Sequence, residues 1–418
     1  MGKRMDKVSG KDRSVLRALA EETARIASLP VQEERAGLWR RLNVLERVKP
    51  LVWINEIPWH ELGLEDQLET SDPWCRDLEW GLRRQLYQWE HLPGDMVIEN
   101  VVYCPLVIED TGFGMAEVSE TRRVTEDSVL SRRFEPQIKN EEDVLKIRMP
   151  TVTLDEEATE RNFERMTAIL GDIIPVKQRG AAGFWFAPWD ILITWWGVQE
   201  AMTDLAMRPD LVKLAMDRLV TALLHRLDQY VELNGLALNN DNSRVGSGGY
   251  GYTSALPQDG FDPDRVRTVD QWGCATAQIF SDVSPEMHRE FALDFELRWL
   301  RRFGLTYYGC CEPLDIKLEM LRQIPNLRKI SMSPWINTES AASKMGRDFV
   351  FSCKPNPAIL AEDRWDPDQA RKMLRDTLEK TRDCVVEVIL KDISTVRYEP
   401  HRLWEWAQIA REVTEEFA

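Results

Sequence analysis

The sequence has 418 residues, with 54 Lys and Arg against 70 Asp and Glu, a formal charge of −16. Hydrophobic residues make up 43% and charged residues 30%, an ordinary globular composition that excludes wholesale disorder. The acidic balance argues against nucleic acid, which needs a basic face to displace counterions, and against an anionic membrane surface.

No run of about 18 apolar residues is present to span a bilayer. The N-terminus is charged and leads into an amphipathic pattern with no signal-peptide core, so a cytoplasmic chain is expected. The 7 cysteines are odd in number and lack the spacing of a disulfide framework, so they are read as reduced. At roughly 150 residues per domain, the length fits two or three domains or one large α/β barrel with insertions.

Taken in chain order, residues 14–47 carry apolar positions at helical spacing, divided at Ser28-Leu29-Pro30. Pro50 ends that pattern, and Leu51-Val52-Trp53-Ile54 is a short strand. Residues 75–91 are helical, with Leu78, Leu82, Leu86 and Trp89 on one face, and residues 96–103 are strand-like. Residues 105–150 alternate short polar and β-branched stretches and are predicted to form a β-rich insertion. Helices are predicted at 156–170 and 195–234, the second punctuated by Pro209. Ser284-Pro285 caps a helix that runs to Arg302.

Beyond it, strands at 305–310, 329–333, 348–353 and 384–390 alternate with helices at 313–324, 338–345, from the Asp366-Pro367 cap, and at 400–417. Four consecutive βα units predict a parallel sheet. No Gly-x-Gly-x-x-Gly loop follows any strand, which favours a barrel over an open dinucleotide-binding sheet. The expected fold is α/β: a (β/α)8 TIM barrel over residues 49–418, with an N-terminal helical extension at 1–48 and the β-rich insertion at about 105–150.

In such a barrel, chemistry sits where strands end. Three strand ends stand out: Cys310-Cys311-Glu312, Cys353, and Lys391-Asp392. Thiolates with a carboxylate make zinc sites, and Cys353 is expected to reach Cys310 or Cys311 across the barrel axis, giving a candidate set of Cys310, Cys311, Glu312 and Cys353. Vicinal cysteines on a strand point to opposite faces, so one of the pair is equally read as a small buried side chain. Glu312 is either a general base or a helix N-terminal carboxylate.

The 16 tryptophans either fill a core or line a pocket for a flat ligand, and Trp185 and Trp189 fall in one Pro-flanked cluster. Glu56 and Trp59 lie just beyond the first strand, and Trp335 follows a later one. Gly246-Ser247-Gly248-Gly249 with Tyr250 and Tyr252 reads either as a plain loop or as a binding loop.

Five segments carry a family likeness: Ser284–Phe291, Tyr308–Leu314, Ser331–Trp335, Lys354–Ala358 and Ile389–Val396. Through them, residues 230–418 resemble the uroporphyrinogen decarboxylase superfamily, in its corrinoid-dependent methyltransferase branch. The resemblance implies a (β/α)8 barrel and transfer of a methyl group from a small compound, a methoxylated aromatic or methylamine-like, to cobalamin on a partner corrinoid protein. It implies zinc or a proton donor, Glu312 or Tyr308, at the leaving atom. Lys391 and Asp392 complete the catalytic candidates. Glu56, Trp59, Trp185, Trp189, Tyr250, Tyr252 and Trp335 are the substrate-binding ones.

Two departures from the family matter. The first strand region, Leu51–Trp59, lacks the arginines that grip porphyrin carboxylates. Tyr308 or Gly309 stands where the zinc enzymes carry histidine, and Asp392 and Ser394 stand where their last cysteine falls. The alternatives are a decarboxylase of a non-porphyrin substrate and a non-catalytic binding subunit. A homodimer is compatible with the sequence.

Overall fold

The computed structural model describes residues 8–122 and 131–418. The backbone of the site is a set of eight strands in two parallel sheets. Its strands are β1 (Leu51–Ile54), β2 (Val102–Pro105), β3 (Val176–Arg179), β4 (Trp272–Ala275), β5 (Leu305–Tyr308), β6 (Leu327–Met332), β7 (Val350–Cys353) and β8 (Val385–Leu390). Six of them run in the order β1-β8-β7-β6-β5-β4, every neighbour parallel. β2 and β3 form a separate parallel pair. The expected barrel ladder therefore does not close. Its two gaps are crossed by isolated contacts: the Asp95 amide donates to Val52, and the Asn239 side chain pairs with the main chain of Trp272.

Strand alternation decides what faces inward. Tyr307, Lys329, Ser331, Ser352, Glu387 and Lys391 fall on one face, together with the apolar Val350, Val385 and Ile389. Tyr308, Phe351, Cys353, Val386 and Val388 fall on the other, packed under the helices. That outer layer includes α1 (Gly10–Ala27), α3 (Pro73–His91), α4 (Glu156–Leu170), α5 (Pro188–Trp196), α6 (Val198–Met207) and α7 (Pro209–Glu232), whereas α2 (Pro30–Asn43) packs against inner-face residues. The outer layer continues with α8, which runs from Pro285 to Leu300 through a π-turn at Arg289–Leu293. It ends with α9 (Thr338–Met345), α10 (Pro367–Lys380) and α11 (His401–Glu415).

Of the stretch 105–150 expected as an insertion, residues 123–130 lie outside the described residues, and the rest contributes short antiparallel pairs. Ile108–Asp110 pairs antiparallel with Val152–Leu154, and Ser119–Arg122 with Ser131–Phe134. The helix predicted at 313–324 shrinks to Leu318–Leu321, because the residues after β5 are used in a turn. The long helix predicted from Trp195 breaks at Gly197, whose φ of 83° lies in the left-handed region that favours glycine. No helix among the described residues is long and apolar enough to cross a membrane.

The Gly-rich stretch is a plug. A Cβ on Gly246 would lie 2.5 Å from the Tyr307 ring, and one on Gly249 2.5 Å from the Trp39 ring. The Gly249 amide donates to Glu387 at 3.2 Å. Asn43 donates to the carbonyls of Tyr250 and Tyr252 at 2.9 and 2.7 Å. The glycines are there so that backbone can pack flat against interior side chains. Trp39 and Leu42 of α2 share an apolar cluster with Leu51, Tyr250, Val350, Val385 and Ile389. The N-terminal helical segment is thus built into the end of the sheet interior.

Candidate functional site

A cavity of 710 Å³ opens beyond the C-terminal ends of β5 and β8. Its volume is that of a small-molecule pocket. Gly309, at φ 97°, turns the chain out of β5, and a Cβ there would meet Leu314 at 2.5 Å. That turn delivers Cys310 to the cavity wall. The Cys310 carbonyl accepts from Ser331 at 2.7 Å, and its amide donates to Glu312 at 2.8 Å.

Four groups meet there. The Cys310 and Cys311 sulfurs are 3.5 Å apart. The Lys391 ammonium is 3.5 Å from the Cys310 sulfur and 3.8 Å from that of Cys311. Lys391 also binds the Asp392 carboxylate. The Asp392 carboxylate lies 3.5 Å from the Cys311 sulfur, and the Asp392 amide donates to Glu56 at 3.1 Å. Glu56 and Asp392 both hold positive φ, 53° and 55°, strained conformations kept by these contacts. Arg244 closes the rim with a 2.7 Å ion pair to Glu56. Phe184 and Trp185 supply an aromatic wall.

The electrostatics favour a thiolate at Cys310. The hydrogen bond from Cys311 pulls its thiol below the ordinary value; burial opposes this, and the Lys391 charge assists. Cys311 is pushed the other way, by donating to Cys310 and by burial. Burial works to lower Lys391, yet the Cys310 sulfur and Asp392 hold it above the usual lysine range. The arrangement is a thiol eased toward its anion, a fixed cation and a second thiol at one wall of a pocket.

Of the expected site residues, the structure brings Cys310, Lys391, Asp392, Glu56 and Trp185 to this cavity. The others lie elsewhere. Cys353 is on the outer face of β7, because Val350 and Ser352 take the inner one. It lines a separate 160 Å³ cavity near Trp406, and burial pushes its thiol up to about 12. Cys353 therefore does not meet Cys310 across the axis. Glu312 is fully buried, bonded to Thr276 at 2.8 Å and to the Cys310 amide. Among the described residues, no three His, Cys, Asp or Glu side chains gather as metal ligands. The expected zinc set of Cys310, Cys311, Glu312 and Cys353 does not fit a zinc ion.

Tyr308 is buried on the outer face of the sheet. Its hydroxyl is 2.7 Å from His288 Nε2 and donates to Glu296 at 2.7 Å, so it cannot serve the cavity. Trp189 is fully buried in α5 and bonded to the Phe291 carbonyl. Tyr250 and Tyr252 belong to the plug cluster. Trp59 packs edge-on against Trp80 and Tyr87 of α3. Trp335 is 68% exposed and off the cavity.

Sequence reasoning missed Arg244 and Gln278, which line the cavity; Ser247, which also lines it, lies in the glycine-rich stretch left open between a plain loop and a binding loop. The polar run Asn239–Arg244 just before the glycines was the available signal for backbone near a site.

No protein-family model and no curated protein matches this sequence. Among solved structures, a methyltransferase from Methanosarcina mazei is 14% identical, with a TM-score of 0.48. The match covers 91% of this chain and 97% of that one.

Proposed function

We propose that this chain is a methyltransferase that takes a methyl group from a small methylated compound at the Cys310–Lys391 cluster. The observation that carries the reading is the Cys310 sulfur held 3.5 Å from the buried Lys391 ammonium on the wall of the cavity, a contact that helps draw its thiol below the ordinary value. A thiolate is a soft nucleophile suited to in-line attack on a methyl carbon. In that step the S–CH3 bond forms as the bond from methyl to the leaving oxygen or nitrogen breaks. The electron pair goes to the leaving atom. The donor's ring or cationic head lies between the Phe184–Trp185 wall and the acidic Glu56–Asp392 edge, which suits a methoxylated aromatic or a methylamine-like compound. The final acceptor in this reading is a corrinoid protein, and the architecture is taken as a barrel opened at two points. Both follow from the resemblance carried by Tyr308–Leu314 and Ile389–Val396.

The cations at the cavity weigh against decarboxylation. Arg244 is tied to Glu56 and Lys391 to Asp392, so neither is free to grip a substrate carboxylate.

The test is incubation of the purified, reduced protein with methoxylated aromatics and methylamines, with and without reduced free cobalamin. The reading expects methyl on Cys310 by peptide mass spectrometry, passed to cobalamin when that is added, and neither in Cys310→Ser. Wild-type yields of methylated cobalamin from Cys310→Ser, or no methyl on Cys310 with any donor, overturn it.

A further inference from the structure

Beneath the cavity, the inner face of the sheet holds a buried polar chain that methyl capture by Cys310 leaves unused. Ser247 lines the cavity while being only 1% exposed. Its hydroxyl donates to the carbonyl of Gly309, the residue before Cys310, at 3.1 Å. The same oxygen is 2.9 Å from the fully buried Tyr307 hydroxyl. The Lys354 ammonium donates to Tyr307 at 3.0 Å and to Ser352 Oγ at 2.6 Å. Ser352 in turn donates to Glu387 at 2.6 Å, and Glu387 is paired with Lys329 at 2.8 Å.

The charges in this interior do not balance. Two ammonium groups, Lys329 and Lys354, share the single carboxylate of Glu387, and only Lys329 pairs with it directly. In a dry interior an excess cation favours negative charge developing nearby, and hands over a proton when that charge appears. Lys354 also lines the second cavity, on the other side of β7, which gives the chain a second end.

Resting on the methyl-transfer reading, we propose that Ser247 is the proton donor to the leaving atom, resupplied through Tyr307 from Lys354. As the methyl carbon bonds to the Cys310 sulfur, the leaving oxygen takes the electron pair and the Ser247 proton. Tyr307 reprotonates Ser247, and Lys354 reprotonates Tyr307. The leaving group departs as a neutral alcohol, Lys354 is left as a neutral amine, and solvent restores its proton. Ser247 touches the substrate; Tyr307 and Lys354 act through it.

Two donor classes separate this from a structural role. Aryl methyl ethers leave as oxyanions that need a proton, whereas quaternary aryl ammonium donors leave as neutral amines that need none. The readout is single-turnover methylation of Cys310 in wild type, Ser247→Ala and Tyr307→Phe, with thermal melts to confirm folding. Both variants are expected to lose about a hundredfold in rate with the ethers and less than about twofold with the ammonium donors. Equal losses with both classes overturn the relay and leave the methyl-transfer reading standing. So does wild-type transfer from ammonium donors alone. No transfer by wild type from either class overturns both.

Discussion

Cys310 and Cys353 are both thiols at strand ends, yet their surroundings assign them opposite roles. Lys391 and Cys311 favour the Cys310 thiolate, while apolar burial keeps Cys353 protonated. Removing the ammonium should therefore show in reactivity. In Lys391→Met, alkylation of Cys310 by iodoacetamide at pH 7 should slow about tenfold, the equivalent of about one pKa unit. An unchanged rate would show that Lys391 does not activate the thiol. Cys353→Ala should leave methyl transfer intact and cost about 1 kcal/mol of stability for the small void in the outer core. Turnover abolished in a folded Cys353→Ala protein would contradict the placement of that thiol. The strand-end rule exposed Cys310, Lys391 and Asp392 in the sequence. It could not place Cys353, because facing depends on strand parity, and only the contacts of Ser352 fix that parity. The polar run before the glycines marked its neighbourhood but could not single out Arg244, whose role comes from an ion pair to Glu56, 188 residues away.

Between α8 and β5, four side chains form an unbroken buried row: Lys317, His288, Tyr308 and Glu296. Lys317 donates to His288 Nδ1, so the histidine is neutral and carries its proton on Nε2. Burial, aided by the Lys317 charge, brings His288 from its ordinary 6.5 down to about 3. Burial, aided by Glu312, lifts Glu296 from 4.5 to about 8. Between pH 4.5 and 6.5 the folded chain keeps Glu296 protonated and His288 neutral, while the unfolded chain does the reverse. Acidification through that window favours the folded state at Glu296 and opposes it at His288, so the two slopes offset. Glu296→Gln leaves the histidine alone. Its stability should fall relative to wild type by about 1 kcal/mol per pH unit on going from pH 6.5 to 4.5. Denaturant titrations at three pH values in that window check it; parallel curves would refute it. The helix itself was legible from the Ser284-Pro285 cap and its apolar stripe, as were α9 and α10 from their caps and spacing. Its buried histidine was not, because a lone His on a helix has no spacing that distinguishes core from surface.

Across the whole molecule, the parallel βα alternation was readable from residue 305 onward, where strands and helices follow each other without interruption. The first half was harder, because the insertion and the glycine plug break that rhythm between β2 and β4. The plug also explains why the N-terminal segment is not a separable domain. Trp39 donates to the Asp95 carbonyl at 2.8 Å and packs on Gly249 and Lys329. Trp39→Ala should cost about 3–5 kcal/mol, and a chain lacking residues 1–48 should be insoluble, with Val350, Val385 and Ile389 laid open. Thermal melting and the soluble fraction on expression check these two outcomes. The same plug sets an order of events during synthesis. Its backbone amide and carbonyls are satisfied by Asn43, Lys329 and Glu387. The last of these lies 138 residues beyond Gly249. A nascent chain that has completed the plug still lacks the strands that hold it. The interior can be sealed only after β8 has left the ribosome and paired with β1, which makes the final strand the closing event for a pocket whose floor was translated long before.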